Sequence, residues 1–231
     1  MVDLKETAAR EALGFVKDGM VVGLGSGSTA SIFIRLLGER VKQGMKVVGI
    51  PTSRESEELG RSVGIKIGEL RDNPVVDLTV DGADEVDPGL NLIKGLGGAL
   101  VREKIVAYAT EFEIIVVDDS KIVDYLGQKG PLPVEIVKFA HEATVNRLRD
   151  IGCQPKLRMK NGQMFVTDNG NYIADCRFER IDSPQSLEAE INMVPGVVDN
   201  GLFVGLADKV IVASKDGVRT MEKRGITSLA L

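Results

Sequence analysis

The sequence of 231 residues contains no tryptophan, a single histidine, two cysteines and few aromatic side chains. Cys153 and Cys176 lie far apart without neighbouring histidines, which leaves too few ligands for a zinc site. We expect both thiols to be packing groups rather than a structural disulfide. The lone His141 argues against a Ser–His–Asp triad and is expected on the surface of a helix.

Long apolar runs and basic clusters are also missing. No segment approaches the ~18 apolar residues of a membrane-spanning helix, and the first residues mix acid and base instead of forming a signal peptide. The formal charge is −5, and no group of lysines and arginines is interleaved with aromatics. These absences predict a cytoplasmic protein that binds neither membrane nor nucleic acid.

Apolar segments and helical patterns alternate along the first half of the chain. The pattern predicts helices at 4–17, 31–42, 55–63 and 99–110, and strands at 20–24, 46–50, 75–80 and 112–117. Strands that are apolar throughout indicate a parallel sheet covered on both faces. Ligands of such sheets bind beyond the carboxyl ends of the strands, where this chain has four polar clusters.

The pattern changes at residues 127–133, which resemble a linker. Strands and helices follow, with a hairpin turn at Asn161-Gly162 and a helix that begins at Pro184. Residues 209–213 predict a further buried strand that returns to the first sheet, and Asp216-Gly217 turns into a short tail. We therefore predict an α/β fold with a Rossmann-like, mostly parallel sheet formed by residues 1–127 and 204–231. An inserted small α+β (ferredoxin-like) domain, residues 128–203, is also predicted.

A glycine-rich turn, Gly25-Ser-Gly-Ser-Thr-Ala30, precedes the second helix and offers backbone N–H groups to an anion. It lacks the lysine of a Walker A motif, and its serines do not fit a G-x-S-x-G elbow. The next strand ends in Pro51-Thr-Ser53, without the acid that binds a dinucleotide ribose. A phosphate monoester explains the turn better than a dinucleotide, although a plain turn between strand and helix stays open.

Four carboxylates fall within the seven positions from Asp81 to Asp87. Their spacing is not that of a calcium loop, although a solvated turn stays open as an alternative. Asp81 and Asp84 are nearest the end of the preceding strand, so we place them at the ligand. Glu85 and Asp87 are expected to face water.

Lys94, a glycine cluster and the first turn of a helix follow this acidic segment. Lys94 either pairs with one of the acids or stabilises a developing oxyanion. Glu103 either complements the helix dipole or, partly desolvated, carries a proton. Arg102 and Lys104 beside it are expected to be surface cations.

An anion site, carboxylates and an ammonium, without redox or nucleotide motifs, fit proton transfer on a phosphorylated sugar. Across nearly the whole chain the sequence resembles ribose-5-phosphate isomerase, type A. The resemblance is carried by Gly23–Ala30, Asp81–Glu85, Lys94–Ala99, Arg102–Lys104, Asp119–Lys121, Pro131–Glu135, Thr167–Asn171 and Pro195–Val198. This chain departs from the family at Leu96, where many members have glycine, and at Ser26, where threonine is common.

The resemblance implies reversible conversion of D-ribose 5-phosphate to D-ribulose 5-phosphate through a cis-enediol(ate), in the non-oxidative pentose phosphate pathway. It implies that Glu103 is the proton acceptor, that Lys94 stabilises the oxyanion, and that Asp81 and Asp84 assist opening of the furanose ring. The implied substrate-binding residues are Ser26, Gly27, Ser28, Thr29, Asp81, Gly82, Ala83, Asp84, Lys94, Gly95, Leu96, Gly97 and Lys121. No cofactor or metal is implied, and the second domain is expected to contribute to a homodimer or homotetramer.

Two other functions stay open. A sugar-phosphate-sensing module of a transcriptional regulator would need a DNA-reading segment, and the sequence shows no basic helix-turn-helix candidate. A nicotinamide-dependent dehydrogenase would need the ribose-binding acid that is missing after the second strand.

Overall fold

The structure is a computed structural model and describes residues 4–223. Its first half contains α1 (Leu4–Leu13), β1 (Val21–Leu24), α2 (Ser28–Lys42), β2 (Val48–Pro51), α3 (Arg54–Ser62), β3 (Lys66–Ile67), β4 (Leu78–Asp81), β5 (Glu85–Val86), β6 (Leu92–Ile93), α4 (Leu100–Tyr108) and β7 (Glu113–Asp118). Its second half contains β8 (Leu132–Ile136), α5 (His141–Asp150), β9 (Gln154–Leu157), β10 (Met159–Lys160), β11 (Gln163–Met164), β12 (Tyr172–Arg177), α6 (Pro184–Asn192), β13 (Val197–Asn200), β14 (Leu202–Phe203), β15 (Lys209–Ser214) and β16 (Gly217–Glu222).

The main sheet has seven strands in the order β16-β15-β7-β4-β1-β2-β3. Every neighbouring pair is parallel except β15 and β16. The carboxyl ends of β1, β2, β4 and β7 therefore meet at one edge, the usual place for a ligand in such a sheet. The predicted α/β fold with a mostly parallel sheet is confirmed.

Helices cover both faces of this sheet because its strands are apolar throughout. On one face α1 and α2 contribute Ala12, Phe33 and Leu37 to a core with Val22 and Val80. The buried positions of α2 recur at helical spacing, which gives the helix one apolar side. On the other face, Ala107 of α4 packs in a core with strands β7 and β15. The helices do not cover the polar carboxyl ends of β1, β2, β4 and β7.

A second, antiparallel sheet has the order β13-β8-β12-β9 and a core of its own with α5 and α6. Cys153 and Cys176 are free and buried in that core, as expected of packing thiols. Asn161 and Gly162 have φ values of 53° and 77° and join β10 to β11, which confirms the predicted hairpin turn. A three-stranded sheet, β14-β6-β5, begins within the acidic segment and was not predicted.

Several predicted elements differ in extent. The tail predicted after Asp216 is wrong, because residues 217–222 form β16 at the edge of the main sheet. Helix α2 begins at Ser28, three residues earlier than predicted, and this places two hydroxyl side chains in its first turn. His141 is the first residue of α5 and packs edge-on against the Tyr172 ring.

The division into residues 1–127 with 204–231 and residues 128–203 stays a prediction, and residues 1–3 and 224–231 lie outside the described part of the chain. Within residues 4–223, every helix falls short of the length and apolar character needed to cross a membrane.

Candidate active site

A cavity opens at the carboxyl edge of the main sheet. It is lined by Lys5, Ser26, Gly27, Ser28, Thr29, Gly82, Ala83, Asp84, Lys94, Gly95, Gly97, Glu103, Val116, Val117, Asp118 and Lys121. These residues come from α1, from the segments after β1 and β4, from the end of β7 and the turn after it, and from the glycine loop together with α4. The structure thus brings together polar groups that are up to about a hundred positions apart in the sequence.

The turn between β1 and α2 forms one end of the cavity. Gly27 precedes α2 with a φ of 89°, a left-handed conformation that glycine adopts without strain. Ser28 and Thr29 lie in the first helical turn, where backbone N–H groups and the helix dipole favour an anion. Lys5 of α1 donates to Ser28 Oγ at 2.8 Å and brings an ammonium to the same place.

Ser26 connects this turn to the neighbouring strands. Its Oγ lies 2.8 Å from Thr52 Oγ1 and donates to Ser53 Oγ at 2.8 Å. Ser53 also caps α3, because its Oγ accepts from the Ser56 N–H. The hydroxyls after β2 therefore hold the anion turn in place and lie outside the residues that line the cavity.

The other end of the cavity contains a buried group of charges. Lys94 Nζ lies 3.1 Å from Asp81 Oδ2 and 3.5 Å from Glu103 Oε1, and it donates to the Gly82 carbonyl oxygen. The Phe203 ring lies beneath it, with its centroid 5.4 Å from Nζ. Lys94 is 2 % and Glu103 6 % exposed, so both interact in a site with little water.

Burial and pairing set the protonation of these groups. Burial raises the pKa of Glu103 to about 8, although the Lys94 ammonium beside it acts to lower that pKa. For Lys94, burial acts to lower the pKa, but the carboxylates of Asp81 and Glu103 outweigh it and raise the pKa. Glu103 Oε2 has no hydrogen-bond partner among the described residues. An ammonium thus lies next to a carboxyl group that can accept and release a proton near neutral pH.

Asp81 and Asp84 occupy different places. Asp81 lies under the cavity, where its Oδ1 accepts from the N–H groups of Ser26 and Gly82 at 2.9 and 2.7 Å. Asp84 lines the cavity, and its Oδ2 accepts from the Leu96 N–H at 2.9 Å. Burial raises the pKa of Asp84, although that N–H and nearby cations oppose the shift. Only Asp84 reaches the space open to a ligand, while Asp81 holds Lys94 and the anion turn together.

Two expectations about charged neighbours were wrong. Glu85 does not face water: it is buried and accepts from the N–H groups of Gly127, Lys129 and Gly130 at 2.7 to 2.8 Å. Lys104 is not a surface cation either. It is buried and donates to Glu188 Oε1 and Asp199 Oδ1 at 2.9 and 2.8 Å.

The remaining predicted neighbours are partly exposed. Asp87 is half-buried and closes a turn by accepting from the N–H groups of Gly89 and Asn91. Arg102 is half-buried and donates to Asn169 Oδ1 and to the Asp168 carbonyl oxygen. Leu96 is 44 % exposed and lies outside the cavity lining, and its backbone N–H donates to Asp84.

Sequence reasoning missed four residues that line the cavity, namely Lys5, Val116, Val117 and Asp118. Asp118 is the last residue of the buried strand β7, at the edge where ligands bind. That position in the sequence could have identified it as a residue of the site. Nothing in the sequence places Lys5 at the anion turn, because its position depends on how α1 packs against α2. Among residues 4–223 no cluster of three or more His, Cys, Asp or Glu side chains is arranged to hold a metal.

Known proteins resemble this chain over most of its length. Residues 48–217 match the family described as ribose 5-phosphate isomerase A (phosphoriboisomerase A). A ribose-5-phosphate isomerase A from Gloeobacter violaceus is 54 % identical over 219 residues, which cover 94 % of this chain and 95 % of the relative.

Solved structures give the same result. The ribose 5-phosphate isomerase A of Methanocaldococcus jannaschii has a TM-score of 0.91 and 46 % identity, covering 96 % of this chain and 99 % of that one. A D-ribose-5-phosphate isomerase in complex with phospho-erythronic acid has a TM-score of 0.92 and 47 % identity, covering 95 % and 97 %. Sequence and structure thus confirm the resemblance, and the chain belongs to the ribose 5-phosphate isomerase A family.

Proposed function

We propose that Glu103 carries the proton between C2 and C1 of an open-chain pentose phosphate while Lys94 stabilises the intermediate. The chain is a ribose-5-phosphate isomerase, an aldose–ketose isomerase. The observation that supports these residue roles is the buried Glu103–Lys94 pair, 3.5 Å apart, at one end of a cavity whose other end is an anion site.

The two ends of the cavity fit the two ends of the substrate. Backbone N–H groups of α2, with Ser28, Thr29 and Lys5, suit the dianionic phosphate. The glycine loop with Gly95 and Gly97 lets the sugar lie close to the backbone. Phospho-erythronic acid, which one relative binds, also carries a phosphate at one end and a carboxylate at the other. A carboxylate is planar and anionic like an enediolate, so it suits the position beside Lys94.

The reaction needs one proton carrier because C1 and C2 are adjacent. After the ring opens with help from Asp84, Glu103 removes the proton from C2 and the electron pair forms the C1–C2 double bond. The aldehyde oxygen becomes an oxyanion, which the Lys94 ammonium stabilises. The hydroxyl at C2 then transfers its proton to the neighbouring oxygen at C1. Glu103 returns its proton to C1, and the ketose results.

Replacing the carboxylate tests this role. Glu103→Gln keeps the shape of the side chain but cannot accept a proton, so ketose formation should fall by about 10²–10⁴-fold. Binding of phospho-erythronic acid, measured by calorimetry, should be largely retained. Glu111→Gln, at an exposed position shortly after α4, is the control and should behave like the unmodified protein. Near-normal turnover of Glu103→Gln would remove Glu103 from this role.

The same assay separates this function from its rivals. Purified, chelator-treated protein without nicotinamide should form ketose at the untreated rate, because Lys94 supplies the positive charge at the oxyanion. A requirement for metal or nicotinamide would contradict the proposal. Neither the regulator module nor the dehydrogenase predicts cofactor-free turnover.

We also infer a cytoplasmic homodimer or homotetramer, with residues 128–203 forming an oligomerisation domain. Phe139 and Met193 support this inference, since these large apolar side chains of that region are 88 % and 83 % exposed in the single chain. Light scattering during size-exclusion chromatography measures the assembly, and a monomer at micromolar concentration would contradict it.

A further inference from the structure

The peptide group between Gly95 and Leu96 is hydrogen-bonded at both ends. Its N–H donates to Asp84 Oδ2 at 2.9 Å, and its carbonyl oxygen accepts from Arg158 Nη1 at 2.9 Å. The same Nη1 also donates to the Leu96 carbonyl oxygen at 2.9 Å. Arg158 lies between β9 and β10, so a side chain far along the sequence is attached to the wall of the cavity.

Arg158 is held rigidly. Its Nε donates to Asp175 Oδ2 at 3.0 Å and its Nη2 donates to Asp175 Oδ1, which makes a two-pronged ion pair with β12. Its backbone N–H donates to the Ile173 carbonyl oxygen, and its own carbonyl oxygen accepts from the Phe165 N–H, both at 2.8 Å. The Arg158 side chain is 12 % exposed. The ion pair with Asp175 uses Nε and Nη2, so Nη1 stays directed at the carbonyl oxygens of the loop.

Phe165 supports the same loop from the side. The Arg158 guanidinium lies 5.9 Å from the centroid of its ring. The ring also contacts Gly98, where a Cβ would lie 2.5 Å from Phe165 Cζ. The loop from Gly95 to Gly98 is therefore packed and hydrogen-bonded against the segment around β10 and β11.

The arrangement has an electrostatic consequence for Asp84. A cation at the carbonyl end of a peptide and a carboxylate at its N–H end polarise that peptide in the same sense, which strengthens both hydrogen bonds. The charged groups that face Asp84 are the cations Lys94, Lys121 and Arg158 and the acid Glu103. Burial raises the pKa of Asp84, and Arg158 is one of the groups that oppose this.

We propose that Arg158 is a positioning residue for the isomerisation, which acts through the Gly95–Leu96 peptide to orient Asp84 and the glycine wall of the cavity. This inference rests on the proposed function, because it assumes that Asp84 acts on the substrate. Arg158 does not line the cavity, and its effect on the reaction is indirect.

The test compares three variants. Arg158→Met should lower kcat/KM about 10²-fold, since small displacements of positioning groups have effects of that size. It should also move the titration of the Asp84 carboxyl carbon, followed by ¹³C NMR, to higher pH. Arg158→Lys should recover part of the activity, because an ammonium can still donate to the Gly95 carbonyl oxygen. Asp175→Asn keeps the guanidinium but removes the charge of its ion-pair partner. Its kcat/KM should therefore lie between those of the unmodified protein and Arg158→Met.

Arg180→Met is the matched control. Arg180 lies in the same part of the chain and pairs with Asp182, but it is exposed and its contacts do not include the loop. A folded Arg158→Met with unchanged kcat/KM and an unchanged Asp84 titration would overturn the inference. The inference would also be overturned if Arg158→Met lowered the thermal stability and left both of these properties unchanged. If Glu103→Gln stays active, the proposed function fails; if Glu103→Gln is inactive and Arg158→Met is normal, only this inference fails.

Discussion

At the scale of single residues, burial acts to raise the pKa of Glu103 and to lower that of Lys94, because it disfavours the charged form of each. It favours the neutral form of Glu103, and it would favour neutral Lys94 if carboxylates did not surround the ammonium. Asp81 is therefore as important for the site as the groups that line it. Its carboxylate keeps Lys94 charged, which the proposed change in the protonation state of Glu103 during the reaction requires.

The raised pKa of Glu103 predicts a pH dependence. Glu103 must be deprotonated to accept the C2 proton, so kcat/KM should be low well below its pKa and rise towards a plateau above about pH 8. Initial rates of ketose formation between pH 5.5 and 9.5 measure this profile. Circular dichroism over the same range controls for unfolding. A profile that is flat between pH 6 and 9 would contradict a raised pKa of the proton acceptor.

At the scale of elements, the turn between β1 and α2 packs closely against the end of β4. A Cβ on Gly25 would lie 2.4 Å from Asp81 Oδ1 and 2.5 Å from the Asp81 Cα. The approach is that close because Ser26 N–H must reach the same carboxylate. The glycine at this position is required by packing, in addition to any direct role in binding an anion.

Gly25→Ala should therefore damage both stability and catalysis. The methyl group must displace Asp81, so the free energy of unfolding should fall by about 1–3 kcal/mol, and kcat/KM should fall because Lys94 loses its anchor. Urea denaturation and the ketose assay measure the two effects. Gly130→Ala is the control, since the nearest atoms to its Cβ are 3.9 Å away. If Gly25→Ala matched this control in both measurements, the packing argument would be wrong.

At the scale of the whole molecule, α4 connects the main sheet to the antiparallel sheet. Glu103 faces the cavity, and the next residue, Lys104, points to Glu188 of α6 and Asp199 of β13. On the other side of Glu103, Arg102 contacts Asp168 and Asn169. Helix α4 is thus fixed by residues from the second part of the chain on both sides of Glu103.

Lys104→Met should be strongly destabilising. It leaves two carboxylates without their cation, and breaking a buried ion pair in this way costs about 3–5 kcal/mol. Urea denaturation at neutral pH measures the free energy of unfolding. Arg61→Met removes an exposed pair with Glu57 and should cost less than about 1 kcal/mol. Equal losses in the two variants would show that the Lys104 cluster does not stabilise the connection between the sheets.

The sequence by itself determined the order of the elements and pointed to the groups for which we propose a role in the reaction. Apolar segments separated by helical patterns are local features, and they predicted the parallel sheet and its ligand edge. The local motif made Lys94 and Glu103 candidates, and the family resemblance gave the roles that we propose for them. Hairpin and helix starts at Asn161 and Pro184 were also predictable, since turn geometry depends on the residues in the turn itself.

Only the tertiary structure decided which charges are buried and what each of them contacts. Glu85 and Lys104 were expected in water, but distant segments cover and pair them. Lys5 reaches the anion turn from α1, and Arg158 reaches the glycine loop across more than sixty positions. Burial and pairing depend on which segments pack together, and local sequence patterns carry no information about such long-range contacts.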